Sequence, residues 1–169
     1  MLARLAGIQK DTIVDGPGIR LSLYFQGCSH CCPGCHNPET HDPAGGSSFS
    51  TGELISLVDN CPGIDGVTLS GGEPFEQAAA AATMAAAIEE RALNLVLYSG
   101  YYFEELLAKS IKDHHVKALL KSGWLLIDGP FIEEEKDLTL AFRGSRNQRL
   151  IDLPRSMAAS VPVIFERKL

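Results

Sequence analysis

The sequence predicts an α/β fold in which strands and helices alternate around a largely parallel sheet. Short apolar runs that end in glycine or polar residues recur along the chain, and helical segments separate them. A complete eight-stranded β/α barrel takes about 250 residues, whereas this chain has 169. We therefore expect a single domain over residues 1–169, built as a partial, open parallel β/α barrel of about six strands.

The predicted elements of the first half surround a cysteine-rich loop at about residues 27–41. Residues 19–25 alternate in polarity and include aromatic side chains, which predicts a strand that leads into this loop. A capping box at residues 50–53 predicts the start of a short helix. Residues 66–69 have the pattern of a short buried strand, and the alanine-rich stretch 76–91 predicts a helix.

The second half continues the alternation and places polar residues where strands end. The predicted elements are strands at 93–98, 124–127, 150–152 and 161–165, and a helix at 102–121. Gly123 is a suitable end for that helix. In parallel α/β folds the active site lies at the carboxyl ends of the strands, so the polar residues that follow these strands are candidate site residues.

The composition is that of a globular protein and limits the partners it can have. Hydrophobic residues make up 45% and charged residues 21% of the chain, close to ordinary usage. With 15 basic and 21 acidic residues the net charge is −6, which disfavours binding to nucleic acid or an anionic membrane. No apolar run reaches the ~18–20 residues that span a bilayer, and no signal peptide is visible. We expect a cytoplasmic protein.

Four of the five cysteines lie within residues 28–35, and Cys61 stands alone. A disulfide framework would spread its cysteines along the chain, and the cytosol would keep them reduced. Cys28, Cys32 and Cys35 have the spacing C-x3-C-x2-C, which suits three corners of a [4Fe–4S] cluster and leaves the fourth iron free to bind a substrate or cofactor.

Two other metal sites are compatible with these cysteines. Zinc could be bound by Cys28, Cys32, Cys35 and His36, although adjacent ligands are awkward for one tetrahedron. An electron carrier would take Cys31 or Cys61 as a fourth cluster ligand. Cys61 follows a predicted helix and has the character of an ordinary buried thiol.

Short motifs follow one another around the cysteine loop. They are Asp-Gly-Pro-Gly-Ile-Arg at 15–20, Phe-Gln-Gly-Cys at 25–28, Cys-His-Asn at 35–37 and Gly-Gly-Glu-Pro at 71–74. With the cysteine spacing, they resemble the radical S-adenosylmethionine (SAM) superfamily and, within it, the glycyl-radical-enzyme activases. The resemblance covers nearly the whole chain and implies the partial barrel of the radical SAM type.

Later motifs at 98–101, 126–131 and 142–149 are similar to the branch of this family that activates anaerobic (class III) ribonucleotide reductase. The resemblance implies an oxidoreductase in which Cys28, Cys32 and Cys35 bind the cluster and SAM binds its open iron. An electron from a donor such as flavodoxin or ferredoxin then cleaves SAM, and the 5′-deoxyadenosyl radical takes a Cα hydrogen from a glycine of the partner enzyme.

The resemblance also implies a set of SAM-binding residues and no catalytic residue beyond the cluster ligands. These are His36, Asn37, Gly71, Gly72, Glu73, Ser99 and Asp128. Residues 71–73 would meet the methionine end of SAM, because glycine permits close backbone approach and a carboxylate can accept from an ammonium group. His36 would lie near the adenine, and Ser99 and Asp128 would hold SAM or a nearby cation. Residues 70–74 and Asp128 also suit plain turns.

Other functions stay open at this point. The same chemistry could act on a different glycyl radical enzyme or directly on a small molecule, and a non-enzymatic metal or electron-transfer module is a third possibility. The basic residues Arg143, Arg146 and Arg149 form either a solvated loop or a surface that handles the partner.

Overall fold

Seven strands form a single sheet in the computed structural model, which describes residues 1–166. The strands are β1 (Leu2–Thr12), β2 (Arg20–Phe25), β3 (Ser47–Ser50), β4 (Gly66–Gly71), β5 (Asn94–Tyr98), β6 (Leu125–Asp128) and β7 (Arg149–Asp152). Their order across the sheet is β3-β1-β2-β4-β5-β6-β7. Strands β2, β4, β5 and β6 run parallel to one another, whereas β1, β3 and β7 are antiparallel to their neighbours.

This topology brings the carboxyl ends of the parallel strands to one edge of the sheet. The prediction of an α/β fold around an open, largely parallel sheet is confirmed, with seven strands where about six were expected. The curvature of a barrel stays a prediction.

Five helices accompany the sheet in the part of the chain that the structure describes. They are α1 (Thr51–Asp59), α2 (Ala78–Glu90), α3 (Phe103–Ser110), α4 (His114–Ser122) and α5 (Leu153–Ala159). Helix α1 begins at the predicted capping box: the Ser50 hydroxyl accepts from the Glu53 backbone N–H, and the Glu53 carboxylate accepts from the Ser50 N–H at 2.7 Å. None of these helices has the length and apolar character needed to cross a bilayer.

The two faces of the sheet differ because strand residues alternate between them. Leu21, Leu23 and Phe25 of β2 are fully buried on the side that packs against α1 and α2. The opposite side, which we call the open face, carries a smaller apolar cluster. Its members are Val96, Leu125, Ile127, Leu150 and Phe165.

Five segments differ from the predicted elements. The helix expected over 102–121 is two helices, because Asp113 caps α4 by accepting from the N–H groups of His115 and Val116. The strand expected over 161–165 makes one isolated bridge, between Ile151 and Ile164. Strands β1 and β3 and helix α5 have no counterpart among the predicted elements.

Candidate functional site

The cysteine loop leaves β2 at the carboxyl edge of the sheet and is closed at its base by backbone hydrogen bonds. The Gly27 N–H donates to the Thr40 carbonyl at 2.8 Å, and the Cys28 N–H donates to the His41 carbonyl at 3.2 Å. The Glu73 N–H, just beyond β4, donates to the Gly27 carbonyl at 2.8 Å. The loop is therefore fixed both to itself and to the end of β4.

The cysteines of this loop are free thiols with different exposure. Cys28, Cys32 and Cys35 are half-buried, whereas Cys31 is exposed. Burial raises the pKa of Cys28 to about 11 and raises the pKa of Cys35, so a nearby cation is needed to hold these groups as thiolates. Cys61 is buried in the main core, which confirms its predicted character.

The donors of the loop fit a [4Fe–4S] cluster. Three half-buried thiols lie on one anchored loop, and His41 Nε2, also of this loop, is buried without a hydrogen-bond partner among the described residues. Within residues 1–166, no three His, Cys, Asp or Glu side chains are placed as ligands of a single metal ion. A cube of four irons makes no such demand, because each thiolate binds a different iron.

Glu73 joins the ends of β4 and β5 to the cysteine loop. Its carboxylate is fully buried and accepts at Oε1 from the Phe75 N–H. Oε2 accepts from the Ser99 hydroxyl at 3.0 Å and from the Gly100 N–H at 2.8 Å. His30 Nε2 lies 3.3 Å from the same oxygen, and this carboxylate raises the pKa of His30.

His30 is held on two sides. Its ring meets the Tyr101 ring edge-on with 4.4 Å between centroids, and a Cβ at Gly100 would lie 2.5 Å from the imidazole. Only glycine at position 100 therefore leaves room for the histidine in this place.

A cavity of about 370 Å³ opens on the other side of the loop. His36 and Asn37 of the loop form one wall, and Asp15 and Tyr24 form another beside β1. Tyr24 alternates with the core residues of β2, so the cavity lies on the open face. Its volume is within the range of small-molecule sites.

Asp15 is oriented by three hydroxyl groups. Its Oδ2 accepts from Thr12 at 2.8 Å, Ser22 at 2.9 Å and Tyr24 at 2.6 Å. Burial and the hydrogen bond to Asp15 raise the pKa of Tyr24. The Asp15 backbone carbonyl accepts from the Thr68 hydroxyl at 2.8 Å, which connects this wall of the cavity to β4.

Arg20 braces the same segment from inside the protein. It is fully buried and donates from Nε to Thr68 at 2.6 Å and from Nη1 to the Pro17 carbonyl at 2.9 Å. Burial lowers the pKa of Arg20 to about 10, which still leaves it charged at neutral pH. Residues 15–20 are thus held rigidly beside the cavity.

Asp128, at the end of β6, forms an ion pair in which its own carboxylate is fully buried. It accepts from Arg149 Nε at 2.9 Å and Nη2 at 2.5 Å, and from the Phe103 N–H at 2.7 Å. Arg149 also pairs with Glu104 at 2.7 Å. The carboxylate of Asp128 therefore connects β6, β7 and α3.

Comparisons with known proteins identify the family of this chain. The family model described as a 4Fe-4S single cluster domain matches residues 14–151. The anaerobic ribonucleoside-triphosphate reductase-activating proteins of Vibrio cholerae and Escherichia coli K12 are 33% and 31% identical to this chain over 144 residues. Each alignment covers 80% of this chain and, respectively, 89% and 90% of the relative. The chain belongs to the glycyl-radical-enzyme activases.

A second kind of activase matches a shorter part of the chain. The pyruvate formate-lyase-activating enzyme of Clostridium pasteurianum is 43% identical over 82 residues, which are 46% of this chain and 34% of that enzyme. Membership of this family makes the protein an activating enzyme that carries a [4Fe–4S] cluster, and use of SAM is general in the family.

The structure brings some of the predicted SAM residues of the activase together and separates others. Gly71, Gly72, Glu73 and Ser99 lie at the ends of β4 and β5. His36 and Asn37 line the cavity, whereas Asp128 faces Arg149. That these residues bind SAM, and that Cys28, Cys32 and Cys35 bind the cluster, stays a prediction.

The sequence patterns of the activase predicted no site role for Asp15, Tyr24 or His30. The motif at 15–20 carried the resemblance, but nothing local shows that Asp15 reaches Tyr24, nine residues away. His30 lies between Cys28 and Cys32 in the sequence, and its proximity to Glu73 could not be predicted from spacing.

Proposed function

We propose that this activase installs a glycyl radical on anaerobic ribonucleoside-triphosphate reductase. The observation that carries the proposal is the anchored loop of three half-buried thiols in a chain that aligns over 80% of its length with activating proteins of that reductase. The protein acts in the cytoplasm, and its sheet curves as the partial barrel of the radical SAM type.

Cys28, Cys32 and Cys35 would hold the cluster through thiolates. When bound, the [4Fe–4S] cluster supplies the electron that splits SAM into methionine and a 5′-deoxyadenosyl radical, which takes the Cα hydrogen of a glycine. Cys31 is exposed and is left out of this ligand set. The hydrogen bonds at the base of the loop keep its two ends in place, so that the thiols need little rearrangement.

The protein's task is to orient SAM and to keep water and stray C–H bonds away from the radical. Gly71 and Gly72 let the backbone approach the methionine end, and Glu73 and Ser99 supply polar groups beside it. His36 and Asn37 line a cavity large enough for part of a nucleoside. The partner's glycine segment closes the remaining opening.

A flavodoxin or ferredoxin is the proposed electron donor, and neither nucleic acid nor membrane takes part. A second candidate partner is pyruvate formate-lyase, because its activating enzyme is 43% identical to this chain over 82 residues. That alignment covers 34% of the enzyme, against 89% for the Vibrio cholerae reductase-activating protein, so the reductase is favoured.

The test mixes the anaerobically reconstituted, reduced activase and SAM with each candidate enzyme. We expect a glycyl doublet in the electron paramagnetic resonance spectrum of the reductase, and the Cys61→Ala activase should give the same signal. A doublet only on pyruvate formate-lyase would reassign the partner. SAM cleavage with no doublet on either enzyme would favour a small-molecule substrate, and stoichiometric zinc without iron would contradict the cluster.

A further inference from the structure

Residues 129–149 form a segment that is fixed by its own hydrogen bonds. The Gln148 side chain accepts from the Gly144 N–H at 2.9 Å and donates to the Gly129 carbonyl at 3.1 Å. Asn147 donates to the Pro130 carbonyl at 2.7 Å. These bonds join the two ends of the segment, so its arginines are held in defined places.

The three arginines of this segment differ in what they contact. Arg149 pairs with Asp128 and Glu104. Arg146 is exposed, and no side-chain hydrogen bond or ion pair involves it within residues 1–166. Arg143 is half-buried and pairs with no carboxylate in the same described range. Of the three, Arg143 is therefore the partly buried cation without a counter-charge.

One edge of the Arg143 guanidinium makes a hydrogen bond, whereas the other makes none within the described residues. Its Nη1 donates to the Gln148 backbone carbonyl at 3.2 Å, which fixes the plane of the group. Its Nε is buried and has no hydrogen-bond partner within residues 1–166. Nε and Nη2 form the edge on which arginine binds both oxygens of a carboxylate. A buried donor without an acceptor is costly. Arg143 as a whole is only half-buried, so a small movement of its side chain would let this edge meet an acceptor supplied from outside the chain.

The backbone beside Arg143 places it on the open face. Phe142 has a φ of +61°, an uncommon conformation for a bulky residue that tends to be kept at functional sites. The Phe142 carbonyl accepts from the Tyr98 hydroxyl at 2.9 Å, and Phe142 packs against the apolar cluster of the open face. Tyr98 lies on the same face of the sheet as Tyr24, which lines the cavity, so Arg143 follows a residue that packs on the cavity side of the sheet.

We propose that Arg143 is a carboxylate-binding residue of the reaction site. The proposal rests on the proposed function, which supplies two sources of that group: the methionyl carboxylate of SAM and an acidic side chain of the partner enzyme. In either case the carboxylate accepts two hydrogen bonds from the Nε–Nη2 edge and neutralises the guanidinium.

The experiment compares Arg143→Gln, Arg143→Lys and the matched control Arg146→Gln, which removes the same charge from an exposed position of the same segment. Two dissociation constants are measured on reconstituted protein: that of SAM by equilibrium dialysis without partner, and that of the reductase by sedimentation without SAM. Iron content and the thermal midpoint of each variant show whether it is folded and loaded.

We expect Arg143→Gln to weaken one of the two affinities by about 10-fold or more. Arg143→Lys should recover only part of that loss, because an ammonium group cannot form the two-pronged contact. Arg146→Gln should change both constants by less than about 2-fold. A loss confined to SAM identifies its carboxylate as the ligand, and a loss confined to the reductase identifies the partner.

Unchanged affinities in folded, loaded Arg143→Gln would overturn the proposal. The proposed function is judged separately, because it depends on the glycyl doublet made by the unaltered activase. If the unaltered activase makes no doublet but Arg143→Gln weakens SAM binding, the carboxylate site is supported and the proposed partner is contradicted.

Discussion

Asp128 is paired inside the protein with Arg149, which reaches it from the neighbouring strand. The carboxylate is fully buried, and the guanidinium contacts both of its oxygens. A carboxylate in such a pair is costly to change on one side only, because Arg149 would then keep only its exposed partner, Glu104. The first role that the geometry supports for Asp128 is therefore to hold β6, β7 and α3 together.

Asp128→Asn should lower the free energy of unfolding by about 2–4 kcal/mol, because Arg149 would keep its charge beside a neutral amide. Chemical denaturation of the iron-free protein under anaerobic conditions measures this loss. Glu104→Gln is the matched control, since Glu104 contacts the same arginine from an exposed position, and it should cost less than about 1 kcal/mol. A stable Asp128→Asn variant with weakened SAM binding would instead support the ligand role that the resemblance implies.

The cysteine loop and the Asp128 ion pair show what the sequence can and cannot predict about single residues. Three cysteines within one loop predict a metal site from spacing alone, because their chemistry is local; that they bind it stays a prediction. Arg149 lies 21 residues from Asp128, and no pattern in either neighbourhood indicates that β7 returns beside β6. The ion pair depends on sheet topology and could be seen only in the structure.

The ends of β2 and β4 are packed more closely than their sequences suggest. Gly71 has a φ of +92°, and a Cβ at Gly72 would lie 2.3 Å from the Gly27 carbonyl oxygen. That carbonyl belongs to the base of the cysteine loop and accepts from the Glu73 N–H. Glycine at position 72 therefore permits the loop to close against β4.

Gly72→Ala should displace the base of the loop and cost about 1–3 kcal/mol of unfolding free energy, as overpacking does elsewhere. Less iron should also be retained after reconstitution. Gly52→Ala is the control, because Gly52 is exposed in α1 and its nearest neighbour is 3.9 Å away. That change should stabilise the protein by about 0.5–1 kcal/mol. Equal stability and iron content in both variants would show that the close approach is unimportant.

The elements were predictable where their patterns were regular. The parallel strands alternate with helices, and the capping box marks the start of α1. Strand β1 was missed because its apolar alternation, visible at Ala3 and Leu5, is lost beyond Gly7 and its later residues are largely exposed. The break between α3 and α4 was missed although Asp113, which caps α4, is a residue type that prefers a cap to a helix interior.

At the scale of the whole molecule, the core and the reaction site lie in different places. The main hydrophobic core, between the sheet and its helices, does not include Cys28, Cys32 or Cys35. Cys28, Cys32 and Cys35 lie on a loop at the carboxyl edge and remain half-buried. The core should thus fold without iron, and the loop should gain its remaining stability from the cluster.

Reconstitution with iron and sulfide should therefore raise the thermal midpoint, by about 5–10 °C if binding adds roughly 2.7 kcal/mol. Iron-free protein should still unfold cooperatively at the lower midpoint. Cys28→Ala, Cys32→Ala or Cys35→Ala should each abolish both the increase in thermal midpoint and SAM cleavage. Cys31→Ala and Cys61→Ala should keep both, since neither thiol belongs to the proposed ligand set. Differential scanning calorimetry and iron analysis check this together. Loss of the increase in Cys31→Ala, with retention in Cys32→Ala, would contradict the ligand assignment and require Cys31 to bind iron instead.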